Sequence, residues 1–98
     1  MEKINVDIKY GKFVEYPGNR VFPFLEGILS KTYFRSVGYT KQFKIVLLTE
    51  HSEITLNVIT TSIDFEIIVN SLIFRTSNKI KLELIENGNY TNLKLTKI

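Results

Sequence analysis

Phe43-Lys44-Ile45-Val46-Leu47-Leu48-Thr49-Glu50-His51-Ser52-Glu53-Ile54-Thr55-Leu56-Asn57-Val58 reads as two strands joined by a polar turn. Phe43 to Thr49 is apolar enough for both faces of a strand to be covered, and beyond His51 the residues Ile54, Leu56 and Val58 alternate with Thr55, Asn57 and Ile59. A strand puts successive side chains on opposite sides. Phe43, Ile45 and Leu47 are therefore expected inside with Ile54, Leu56 and Val58, while Lys44, Val46 and Leu48 point outward beside Thr55 and Asn57.

Upstream, Phe24 to Arg35 reads as a long strand containing Gly27, where a glycine predicts a bulge or sharp bend. Before the Tyr16-Pro17-Gly18-Asn19 turn, Ile4, Val6 and Ile8 alternate with Asn5, Asp7 and Lys9, and Lys12 to Glu15 is the expected hairpin partner across Tyr10-Gly11. Downstream, Thr61-Ser62-Ile63-Asp64 matches a helix-capping pattern, and Ile63, Ile67, Ile68 and Leu72 follow helical spacing. This predicts one helix from Ser62 to about Phe74, ended by Arg75-Thr76-Ser77-Asn78. Ile80, Leu82 and Leu84 then alternate with lysines and Glu83, Asn87-Gly88 turns the chain, and Tyr90 to Thr96 returns. The order is three strands, a helix and two strands after an N-terminal extension.

A chain of 98 residues suffices for one domain, 1–98, with a core of its own. It contains no Cys, which removes disulfides and thiolate metal sites, and His51 is its sole histidine, set in a polar turn that suits solvation. Asp7, Glu15, Glu26 and Asp64 are scattered over different elements, so no metal or acid/base constellation forms; neither an enzyme nor a cofactor is expected. No apolar run approaches the roughly 18 residues of a spanning helix, and the N-terminus lacks a signal-peptide pattern. A cytoplasmic protein, away from membranes, is the expectation. Alanine is absent while Lys, Ile and Asn abound, which suits the A+T-rich genome of a low-GC bacterium or its phage.

The net charge of +3 favours a polyanion without requiring one. Tyr33-Phe34-Arg35-Ser36-Val37-Gly38-Tyr39-Thr40-Lys41-Gln42-Phe43 interleaves aromatics with positive charge around a glycine, and reads as a loop whose rings stack on bases while Arg35 and Lys41 meet phosphates. The same residues also suit an ordinary hairpin, since aromatics fit strand surfaces and Gly fits turns. Further candidates for phosphate or base contact are Lys44, Asn57, Arg75, the Lys79 and Lys81 pair, and Tyr90. Lysines on one strand face are equally at home as solvated surface.

Three strands, a helix and two strands over residues 24–96 resemble the OB-fold, a five-stranded Greek-key barrel with a helix after its third strand. On the bent strand at Gly27-Ile28-Leu29, the aromatic-basic loop and the closing Tyr90-x-x-Leu93-x-Leu95, the chain is similar to the small single-stranded-DNA-binding proteins of that fold. The resemblance implies an all-β barrel with one helix and a short β extension at 1–22. It also implies binding of single-stranded DNA, or RNA, with little sequence preference, in replication, recombination or repair. That family's stacking aromatics on strands two and three are replaced at the third by Thr55 and Asn57, which moves the stacking role to Tyr33 and Tyr39. The rival expectation is a protein-interaction or viral structural module that docks a partner, or a further copy as a homo-oligomer, through strand edges and the extension.

Overall fold

A thirteen-residue strand at Leu25–Val37 organises the chain because its two halves belong to different ladders. The computed structural model describes residues 1–60, 79–88 and 90–98, and within them the protein is all-β. The strands are β1 (Glu2–Lys9), β2 (Lys12–Tyr16), β3 (Val21–Phe22), β4 (Leu25–Val37), β5 (Thr40–Leu48), β6 (Ser52–Thr60), β7 (Lys79–Asn87) and β8 (Tyr90–Lys97). They form one curled, open sheet in the order β3-β2-β1-β6-β5-β4-β7-β8. The helix expected over Ser62 to Phe74, together with Arg75, falls outside the described residues.

β4, β5 and β6 form an antiparallel meander, and β7 returns to lie beside β4, which is Greek-key connectivity. Leu25 to Ile28 pair with β7 and Ile28 to Val37 pair with β5, so Ile28 alone has partners on both sides, Lys79 and Leu48. A strand shared in this way turns the sheet from one ladder into the next. Of the bulge or sharp bend expected at Gly27, the bulge lies elsewhere: the register shifts between Leu29 and Lys31, at Ser30, while Gly27 serves a close approach. A β-carbon on Gly27 would lie 2.8 Å from the Leu48 carbonyl oxygen, closer than real contacts allow, and a tight 3.1 Å from Leu47 Cβ.

The extension at 1–22 is built into the sheet as three strands. β1 joins β6 in parallel, pairing Ile4 with Ile54 and Val6 with Leu56, and β2 and β3 follow antiparallel. Its inner residues Ile4, Val6 and Phe13 complete a core with Leu25, Leu29, Phe43, Ile45, Leu47, Ile54, Leu56, Val58, Ile80 and Leu82. The inward sets expected on β5 and β6 are thus all buried. Val46, expected to point outward, does lie on the outer face by register but is only 5% exposed; it sits between Lys31 and Thr55 on a strand flanked on both sides.

The sheet closes toward itself where the β1–β2 turn meets the end of the β7–β8 hairpin. A β-carbon on Gly11 would come within 3.2 Å of Glu86 Oε1 and 3.5 Å of Thr91 Oγ1. Between β2 and β3, Arg20 Nε donates to Glu15 Oε2 at 2.9 Å and the Glu15 N–H donates to the Arg20 carbonyl at 2.8 Å, which secures the short edge.

Since Gly27 lies outside the left-handed region, its substitution tests sterics alone. Gly27→Ala is expected to lower stability by about 1–3 kcal/mol, the usual cost of overpacking. Urea denaturation measures this, and an unchanged midpoint would show that β4 and β5 do not approach as described.

Candidate nucleic-acid interface

The segment expected either as a recognition loop or as an ordinary hairpin connection is the far half of a hairpin. Val37 pairs with Thr40, leaving Gly38 and Tyr39 as a two-residue turn. Gly38 has φ +59°, as the first position of a primed hairpin turn demands, and Thr40 Oγ1 donates to the Val37 carbonyl at 2.8 Å. Tyr39 at the tip is 98% exposed, so packing does not account for it.

The Ser30 bulge decides which side each residue takes. Strict alternation from Leu25, Gly27 and Leu29 would send Lys31, Tyr33 and Arg35 inward. One extra residue reverses the parity and puts all three on the outer face. Across β4, β5 and β6 the register then sets three rows: Lys31 beside Val46 and Thr55, Tyr33 beside Lys44 and Asn57, and Arg35 beside Gln42 and Ile59. Of the sequence candidates, Tyr33, Arg35, Lys44 and Asn57 are therefore brought together, with Tyr33 52% exposed. Lys31 and Gln42 join them unforeseen, although their even spacing from Tyr33 and Lys44 was a usable signal.

The remaining candidates separate from this face. Phe34 and Lys41 are on the inner side, where the Phe34 ring lies 5.3 Å from Phe43 and Lys41 Nζ lies 5.6 Å from the Phe34 centroid. Phe34 thereby extends the core toward the open end. Lys79 and Lys81 are on β7 and already engaged, the first with Glu26 at 3.4 Å and the second 4.5 Å over the Phe24 ring. Tyr90 opens β8 at the β7–β8 turn. A recess of about 420 Å³ at the fork where β5 and β7 part from β4 is lined by Glu26, Gly27, Ile28, Leu48, Thr49, Glu50 and Lys79.

Charge is segregated along the chain in the same sense. Gly27 to Thr49 carries Lys31, Arg35, Lys41 and Lys44 and no acidic residue, so the rest of the chain holds nine basic against ten acidic side chains. The hairpin therefore holds the whole positive excess. Such a surface attracts anions, and its exposed tyrosines offer flat apolar faces beside the charge.

No family model, curated protein or solved structure matches the chain.

These placements predict a contrast in stability. Tyr39→Ala should change the unfolding free energy by less than about 0.5 kcal/mol, as for an ordinary surface site. Phe34→Ala should cost about 1–2 kcal/mol through lost contact with Phe43. Chemical denaturation of the two variants checks this; equal losses would mean that the hairpin faces are misassigned.

Proposed function

We propose that the protein binds single-stranded DNA with little sequence preference, through the outer face of the β4–β5 hairpin. The observation that carries this reading is the register that places Lys31, Tyr33, Arg35 and Lys44 on one acid-free surface, with Tyr39 beside it at the tip. Bases stack on the tyrosines and phosphates meet the cations. The Greek-key order of β4 to β7 also supports it, since the OB barrel shares that connectivity and binds oligonucleotides on its second and third strands and the loop between its first and second, which correspond here to β5, β6 and the Gly38-Tyr39 turn. Roles in replication, recombination or repair follow from such an activity.

A second reading draws on β8, which stands at one end of the sheet order and has β7 as its sole strand partner among the described residues. An edge of that length invites pairing with another chain, although Lys94 and Lys97 on it oppose this.

Titration of a labelled oligothymidylate against a duplex of equal length, at several salt concentrations, distinguishes the two. Single strands should bind more tightly, with a log–log salt slope of about −2 for the three outer-face cations at about −0.7 each. Tyr39→Ala should weaken binding by about 1–3 kcal/mol. An absence of binding at micromolar protein, with concentration-dependent dimers in solution, would favour the edge-pairing module.

A further inference from the structure

The turn of the N-terminal hairpin accepts two unfavourable features that the fold does not need. Tyr10 occupies the left-handed region with φ +54°, where a β-carbon crowds the following carbonyl. With Gly11 at φ +71° this is a type I′ turn, for which Asn-Gly is the favoured pair. A side chain at Gly11 would crowd Glu86 and Thr91, whereas the Tyr10 side chain is 97% exposed. Beside the turn, Lys9 and Lys12 stand directly opposite each other across the strands, an arrangement that like charges disfavour. Lys9 Nζ lies 5.7 Å over the Tyr16 ring.

Register connects this turn to the outer face already described. The parallel pairing of β1 with β6 ends at Asp7 and Asn57, two residues before Lys9 on one strand and Ile59 on the other, and Ile59 adjoins Gln42 and then Arg35. The row of Lys12, Lys9, Ile59, Gln42 and Arg35 crosses five strands, paired throughout except between Lys9 and Ile59, and is positive at both ends with Ile59 69% exposed between; Glu86, whose Oε1 approaches Gly11, is the acidic group at its N-terminal end. The row spans four strand spacings, roughly 19 Å. In the adjoining row Val14, Asp7, Asn57, Lys44 and Tyr33 follow the same path, Asp7 being a second acidic neighbour beside Glu86.

We infer that the Lys9, Tyr10 and Lys12 turn is a second contact site for the same single strand, which runs across the strands from Arg35 to the N-terminal hairpin. Lys9 and Lys12 take phosphates there and Tyr10 stacks on a base. This rests on the single-strand reading of the β4–β5 face and extends it to a partner long enough to reach both hairpins.

Oligothymidylates of increasing length, titrated against the full chain and its variants, provide the test. Tyr10→Asn relieves the turn and should raise Tm by a few degrees, yet weaken binding of long oligomers about tenfold, within the range for one lost stack. Lys9→Gln with Lys12→Gln should reduce the salt slope for long oligomers by about 1.4. Trinucleotides, too short to reach from Arg35, should bind all three proteins alike. If long oligomers bind the variants as tightly as the parent while Arg35→Gln weakens them, the second contact is refuted and the β4–β5 reading stands. Equal weakening at every length would also refute the joined path. If the parent binds no length, both inferences fall.

Discussion

Everything in this sheet depends on how β4 is shared. Its first residues pair with β7, its remainder pairs with β5, and the exchange is confined to Ile28. A strand can serve two ladders in succession only if its neighbours diverge along its length, which turns the sheet and encloses an apolar interior. Gly27 permits that turn, because the Leu48 carbonyl occupies the space a side chain would need. The recess at Glu26, Ile28, Leu48 and Lys79 is the outer trace of the same fork.

The bulge at Ser30, just beyond the exchange, turns the second half of β4 over and gives it an exposed basic and aromatic face. Before it the odd-numbered residues face the core; after it they face solvent. Lys31, Tyr33 and Arg35 owe their accessibility to this one residue. Had the parity persisted, two cations would have been directed inward, where unpaired charge is costly. Phe34 benefits from the same reversal, since it meets Phe43 at the rim of the core.

The N-terminal hairpin contributes to both faces of the sheet. Val6 and Phe13 are fully or almost fully buried and belong to the common core, so the hairpin is part of the domain's hydrophobic closure. Its outer residues Asn5 and Asp7 continue the rows of β4, β5 and β6 through Thr55 and Asn57. Parallel pairing of β1 with β6 makes this continuity possible, as it lines up the Lys9 end of β1 with the end of β6 next to Gln42 and Arg35.

Much of the architecture was legible in the sequence. Alternation identified the inward residues of β5 and β6, glycine and polar clusters identified the turns, and the order of strands from β4 to β8 followed. These are local properties, set by the backbone's two-residue period and by the φ angles that glycine tolerates. The site was legible in composition but not in arrangement: the aromatic-basic stretch was evident, yet it read as a loop, with the bulge at Gly27 and the extension apart from the sheet. Bulge position, strand order and register arise from pairings between distant residues, which no local pattern encodes. The sequence by itself determined which side chains alternate and where the charge is concentrated. Only the tertiary structure decided that Tyr33, Arg35 and Lys44 share a face with one another and with Lys9, while Phe34 and Lys41 turn away, because a single unpaired residue at Ser30 changes the side on which everything after it emerges.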